Sequence, residues 1–176
     1  MAEKLHLVIP NAAYLEQISS YRQEFLDKGS SMDGCGSLRR LKNPNDWLTE
    51  AVLLSRKETV PTNWVQSTQF MCIRESEDKL VGMIQVRHYF NDYLQKFGGN
   101  IGYSVRPSER RKGYAKKMLH DCLPYCKELG LKKILIACLA DNEGSRKTIL
   151  ANSGEYESTV FEPEEKVYLE RYWITL

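Results

Sequence analysis

The hydrophobic period of the chain changes several times, and each change marks an element. Lys4 to Ile9 alternates polar and apolar residues and stops at Pro10, as a short first strand does. From Asn11, a candidate N-cap, Tyr14, Leu15, Ile18, Tyr21, Phe25 and Leu26 recur at helical spacing, which predicts a helix to Lys28 with Gly29 beyond it. A Gly/Ser-rich loop covers Ser30 to Ser37. Asn45 or Asp46 is expected to cap a second helix through Leu53, and Pro61 to Gln66 reads as a loop. Gln69 to Arg74 and Leu80 to Arg87 are strand-like runs joined by the charged Glu75 to Lys79 turn, an antiparallel hairpin. Asn100 to Val105 is a further strand, stopped by Pro107, and the aromatic, polar His88 to Gly99 stretch before it reads as a loop at a site.

After a basic turn, Tyr114, Ala115, Met118, Leu119, Cys122, Leu123, Cys126 and Leu129 form one apolar stripe, a helix stopped at Gly130 and expected to kink at Pro124. Lys133 to Cys138 is nearly all apolar. That places it centrally in the sheet, with the preceding helix as a right-handed crossover between parallel strands. Asp141 or Asn142 caps a short helix to about Ala151, and Glu155 to Phe161 and Val167 to Ile174 close the chain as two strands.

Composition narrows the class. At 176 residues, with no linker or repeat, residues 1–176 are expected to form a single domain. No apolar run approaches the roughly 20 residues that span a bilayer, so no membrane partner is expected. Met1 to Pro10 lacks the basic start and apolar stretch of a signal peptide. Five cysteines, Cys35, Cys72, Cys122, Cys126 and Cys138, show no paired C-x-x-C spacing and read as reduced thiols of a cytoplasmic protein. No metal site is expected, since nothing completes a tetrahedral set around Cys122 and Cys126. A formal charge of +2 is too balanced for a nucleic-acid partner, so any anion site must be local.

The local site is Ser108 to Ala115 (SERRKGYA), a polar loop between a strand and a long helix. Unpaired N–H groups and the helix dipole favour an anion there, Gly113 admits close approach, and Arg110, Arg111 and Lys112 add charge. A diphosphate fits better than a lone carboxylate. Neither G-x-x-x-x-G-K-S/T nor G-x-G-x-x-G after a strand is present.

Arg110 to Ala115 (RRKGYA) resembles the Q/R-x-x-G-x-G/A signature of the GCN5-related N-acetyltransferase (GNAT) superfamily, and Asn142 to Ser145 resembles its N-x-x-S/A segment. The chain looks most like the bacterial predicted-acetyltransferase branch. The resemblance implies an α/β (α+β) GNAT fold: a mixed, mostly antiparallel central sheet of about six to seven strands, flanked by about four helices and splayed at the cofactor strand. It implies an acetyl-CoA-dependent N-acetyltransferase, with the amides from Arg111 to Ala115 (Arg111, Lys112, Gly113, Tyr114, Ala115) on the CoA pyrophosphate and Arg110 positioning the loop. Tyr103, Ser104 and Val105 would pair with the pantetheine arm, the Val105 N–H would stabilise the oxyanion, and Asn142 and Ser145 would lie beside the thioester.

One position departs from the pattern. Many members carry a tyrosine four residues after the N-x-x-S/A serine as acid for the thiolate, and here that residue is Ile149. Tyr156, Tyr103 or water would substitute, and His88 and Asp92 are the expected bases for an acceptor ammonium with a pKa of about 10.4. Two functions stay open: acetyl transfer to a primary amine by direct attack in a ternary complex, and a non-catalytic CoA-binding module. The acceptor, a small molecule or a peptide amine, is not identified by the sequence, and a homodimer is compatible with it.

Overall fold

In a computed structural model, residues 3–176 are described, so the first two residues of the Met1 to Pro10 stretch lie outside it. Within these residues the order is β1 (Leu5–Val8), α1 (Leu15–Asp27), α2 (Pro44–Leu54), β2 (Ser67–Arg74), β3 (Lys79–Arg87), β4 (Ile101–Val105), α3 (Tyr114–Glu128), β5 (Lys133–Leu139), α4 (Glu143–Leu150), β6 (Glu155–Glu162) and β7 (Val167–Thr175). Local chemistry sets the boundaries. The Asn11 side chain accepts from the Ala13 N–H and opens a single 3₁₀ turn ahead of α1. The cap of α2 is Asn43 rather than Asn45 or Asp46: its Oδ1 accepts the Asn45 N–H at 2.9 Å. Pro44, which has no N–H to leave unpaired, suits the first helical position. Helix α3 runs through Pro124, whose ring lies on the exposed face.

The strands form two antiparallel sheets, β1-β2-β3-β4 and β5-β7-β6. Helices α1 and α2 cover one face of the first sheet, where Ile18, Tyr21, Phe25 and Trp47 pack on Met71, Ile73 and Met83. Helix α3 covers the other, with Met118, Leu119, Cys122 and Cys126 against Cys72, Val81, Ile84 and Val86, and this core continues to Ile134 and Ile136 of β5 and Ile149 of α4.

Strand β5 departs from the expected arrangement. Its apolar run is fully buried at Ile134, Leu135 and Ile136, but among the described residues its only ladder is with β7, antiparallel. It meets the first sheet at one end, through a single bridge between Gly99 and Ile136 and through Asn100. The Asn100 N–H donates to the Leu135 carbonyl at 2.7 Å, its side-chain oxygen accepts the Leu135 N–H at 2.8 Å, and its amide donates to the Arg87 carbonyl at 3.2 Å. One side chain thus ties β3 and β5 together, and no ladder continues the junction along β4.

Replacing Asn100, only 3% exposed, with Ala leaves the buried Leu135 N–H without its acceptor. The expected cost is about 1–3 kcal/mol, read as a lower urea midpoint at unchanged slope.

Candidate functional site

Strand β4 has one paired and one open edge. The Arg87 N–H donates to the Asn100 carbonyl and the Arg106 N–H to the Val81 carbonyl, at 2.7 and 2.8 Å. Alternation between these bonds turns the backbone groups of Gly102 and Ser104 toward β3 and those of Tyr103 and Val105 away from it. Because, among the described residues, β5 joins this sheet only at Gly99 and Asn100, the N–H groups of Tyr103 and Val105 have no partner there. Ser104 therefore does not face the gap. Its carbonyl accepts from the Tyr21 hydroxyl at 3.0 Å, and its Oγ lies 3.0 Å from that hydroxyl and 3.3 Å from the Cys35 Sγ.

Across the gap the structure brings Tyr103, Ser145 and Asn142 together. The Tyr103 hydroxyl is 2.7 Å from the Ser145 Oγ, and the Ser145 N–H donates to the Asn142 Oδ1 at 3.0 Å, which also caps α4. Burial pushes the Tyr103 phenol well above its ordinary pKa, against the opposing effect of the Ser145 hydrogen bond. Burial likewise raises the nearby Cys138 thiol to about 11. Ile149, one turn beyond Ser145, is fully buried, so α4 offers no phenol of its own at that position.

Beyond Val105 the chain makes a 3₁₀ turn at Pro107–Glu109, reverses at Arg111 (φ 62°) and Gly113 (φ 81°), and enters α3. The first helical bond runs from the Lys117 N–H to the Gly113 carbonyl, and the Arg111, Lys112 and Gly113 N–H groups have no acceptor among the described residues. Nothing lies within 4 Å of where a Gly113 Cβ would stand. Clefts of about 480 Å³, between β1 and α3, and about 220 Å³, between α3 and α4, open on either side of it. The three cations divide their work. The Arg110 Nε donates to the Val105 carbonyl at 3.1 Å and its Nη2 to the Ser30 hydroxyl at 2.8 Å, so it ties loop to strand. Lys112 donates to Glu109 at 2.7 Å. Arg111 makes no ion pair among the described residues.

This geometry, unpaired strand amides leading to unpaired amides at a helix start, agrees with the sequence comparison. Residues 35–151 match the family model of the Acetyltransferase (GNAT) family. The chain belongs to the GNAT acetyltransferase family. No curated protein matches it. Among solved structures, it resembles the ribosomal-protein-S5-alanine acetyltransferase from Vibrio fischeri (14% identity, TM-score 0.75, covering 99% of this chain and 94% of that one). It also resembles the microcin C7 self-immunity acetyltransferase in complex with acetyl-CoA and AMP (15%, 0.72, 98% and 93%). A third is the ribosomal L7/L12 α-N-protein acetyltransferase in complex with coenzyme A (12%, 0.74, 98% and 94%). At these identities they bear on the fold alone.

In this GNAT acetyltransferase, three expected catalytic side chains are not assembled with Val105. Val105 pairs with Gly82, whereas His88 follows Arg87 at the closed, Asn100 end of the gap, about 20 Å away at roughly 3.3 Å per residue. The His88 Nε2 lies 2.8 Å from the Thr68 Oγ1, itself 2.7 Å from the Tyr125 hydroxyl, and burial lowers the imidazole pKa. Asp92 is exposed on the same connection, where Asn91 rather than Asp92 caps the next turn. Tyr156 stands on β6, separated from β5 by β7, 58% exposed and 2.8 Å from the Thr159 Oγ1.

Sequence reasoning missed Glu109, whose only signal was an acid inside a basic loop. It is 3% exposed and pairs with Arg74 at 2.7 Å, Lys79 at 2.6 Å and Lys112 at 2.7 Å. Arg74 also bonds the Tyr114 hydroxyl at 3.0 Å, so one carboxylate ties the loop and the start of α3 to β2 and β3. Burial alone would raise its pKa, but the hydrogen bonds from Lys112, Lys79 and Arg74 bring it down from 4.5 to about 2. Unfolded chains then bind more protons between those values. Glu109's contribution is fully present above pH 4.5 and is lost as pH falls toward about 2. Glu109→Gln is expected to destabilise by about 1–3 kcal/mol near neutral pH, since Arg74 keeps Glu77 but loses its buried charged partner, and Lys79 and Lys112 lose theirs. The difference from the parent should shrink between pH 4.5 and 2 in denaturant titrations; a constant difference would contradict this account.

Proposed function

We propose that the protein transfers an acetyl group from acetyl-CoA to a primary amine by direct attack in a ternary complex. The observation that carries this is two groups of unpartnered donors, the N–H groups of Tyr103 and Val105 on β4 and those of Arg111, Lys112 and Gly113 before α3. Donors so spaced fit a ligand with an amide-bearing arm at one end and a diphosphate at the other. Arg111, Lys112, Gly113, Tyr114 and Ala115 would hold the pyrophosphate through their N–H groups, with Arg110 holding the loop to Val105. When bound, acetyl-CoA supplies an activated thioester. The residues here offer N–H donors for its carbonyl, from Val105 and from Tyr103, already fixed in place by the β3–β4 ladder.

Tyr103 is the candidate acid. A phenol whose pKa is raised stays protonated at neutral pH and can donate to a departing thiolate, and it reaches α4 at Ser145, one turn before Ile149. Cys138 beside it, held near 11, is almost wholly a thiol at neutral pH, which disfavours a covalent acyl-enzyme. The non-catalytic reading rests on Ile149 alone, and the Tyr103 hydroxyl weighs against it.

The whole chain reads as one acetyltransferase domain, in keeping with structural matches over 98–99% of its length. Five cysteines, all free and buried, support a cytoplasmic setting. Among the described residues no helix is long and apolar enough to cross a membrane, and no three His, Cys, Asp or Glu side chains gather as a metal site. Two of the similar structures act, by name, on ribosomal proteins, which favours a peptide amine as acceptor.

Calorimetric titration with acetyl-CoA tests the loop. Arg111→Glu is expected to weaken binding on the order of tenfold at low ionic strength. The loss should fade as salt shortens the Debye length from about 30 Å at 0.01 M to about 3 Å at 1 M, and parental affinity at low salt would remove Arg111 from the site.

Turnover tests the acid. Tyr103→Phe should lower kcat about a hundredfold while acetyl-CoA affinity stays within about twofold, as for a group used late in the reaction. Unchanged kcat would mean that the thiolate leaves without it.

A further inference from the structure

Among the described residues, strand β4 has a ladder on one edge only, so no second strand fixes the tilt of its peptide planes. The N–H groups on its open edge serve a thioester carbonyl only if they are held still. Donors to an oxyanion act at about 2.7–3.1 Å, and a displacement of about 1 Å costs on the order of a hundredfold.

A restraint comes from behind the strand, from α1. Tyr21 is 0% exposed and packs among Ile18, Phe25, Met71 and Met83. A phenylalanine would fill that space without the cost of burying a hydroxyl, so the hydroxyl needs a partner. It has one residue of β4: the Tyr21 O–H donates to the Ser104 carbonyl at 3.0 Å, and its oxygen lies 3.0 Å from the Ser104 Oγ. The Ser104 Oγ is also 3.3 Å from the Cys35 Sγ. Of the α1 side chains, Tyr21 is the one bonded to the β4 backbone among the described residues.

The Ser104 carbonyl and the Val105 N–H belong to one planar trans peptide unit and point in opposite directions. A bond that holds the carbonyl therefore also aims the N–H. It polarises the unit as well, and a peptide that accepts at its oxygen becomes a better donor at its nitrogen. We propose that Tyr21 is a positioning residue for acetyl transfer, its hydroxyl orienting and strengthening the Val105 N–H through the Ser104 carbonyl. The inference rests on the acetyl-transfer reading above. Tyr21, fully buried, meets neither cofactor nor acceptor and acts only through that peptide unit.

The test is isotope-edited infrared spectroscopy of acetyl-CoA labelled with carbon-13 at the acetyl carbonyl, bound to the protein. In the parent the carbonyl band should lie below its frequency in water. Tyr21→Phe should reduce that shift while acetyl-CoA affinity by calorimetry stays within about threefold. Ser104→Ala removes a polar contact from the same core but keeps the carbonyl bond, so it should retain the parental shift, whereas a purely structural role would make the two variants alike. Site-specific 3-fluorotyrosine at position 21, a stronger donor of nearly the same volume, should lower the band further, and it decides the matter if Tyr21→Phe does not fold. A parental shift in folded Tyr21→Phe, an equal reduction in Ser104→Ala, or no response to the fluorinated residue overturns the positioning role and leaves the transfer reading standing. Bound acetyl-CoA that keeps its frequency in water in the parent overturns the placement of the thioester on β4, and the positioning role with it.

Discussion

Asn100 stands where two sheets meet, and the open edge of β4 depends on that junction. Its backbone and side chain together mimic a short length of ladder, giving Leu135 both a donor and an acceptor and reaching back to Arg87. A side-chain amide reproduces a peptide unit once, not repeatedly, so β4 and β5 are held at one end and lack pairing along the rest. Unpaired strand edges usually invite aggregation. Here the open edge is short, faces α4 across the gap, and is partly closed by the Tyr103 to Ser145 contact.

The loop after β4 solves a second problem, how to keep several cations and bare amides facing outward without collapse. A buried carboxylate does it. Glu109 draws Arg74, Lys79 and Lys112 to itself, fixes the 3₁₀ turn against β2 and β3, and leaves the N–H groups of the reversal free. Charge on the sequence is thus a poor guide to charge available to a ligand: of Arg110, Arg111 and Lys112, two are spent on internal contacts. The left-handed conformations of Arg111 and Gly113 then aim successive amides outward, and the α3 dipole adds to them.

On the opposite face the chain gives up apolar packing near the gap. Ser67, Gln69, Gln85 and Arg87 occupy positions where the alternation of a two-sided buried sheet would otherwise place Val or Ile, and the Gly-rich loop over 30–37 closes over them. Stability comes from elsewhere, from the apolar halves of both faces, where Trp47, Tyr21, Phe25 and Met118 are fully buried.

The sequence by itself determined the order of elements, most of their limits, and the helix-start loop, because these rest on local periods, caps and glycines. Alternation, a stripe at 3.6 spacing, and Gly113 between a strand and a helix are properties of neighbouring residues. The apolar run of β5 was legible as burial but not as pairing, since a strand buried on both faces looks the same at a splayed edge as in a sheet centre. Side-chain partnerships were decided only by the tertiary structure. Glu109 meets Arg74 across 35 positions, Tyr103 meets Ser145 across 42, and Tyr21 takes Ser104 away from the gap across 83. His88 and Tyr156 read as chemistry in one dimension, yet strand register and the intervening β7 set them apart from Val105. Local sequence specifies backbone conformation through short-range sterics and hydrogen bonds. Which polar groups converge depends on register and packing summed over the whole chain.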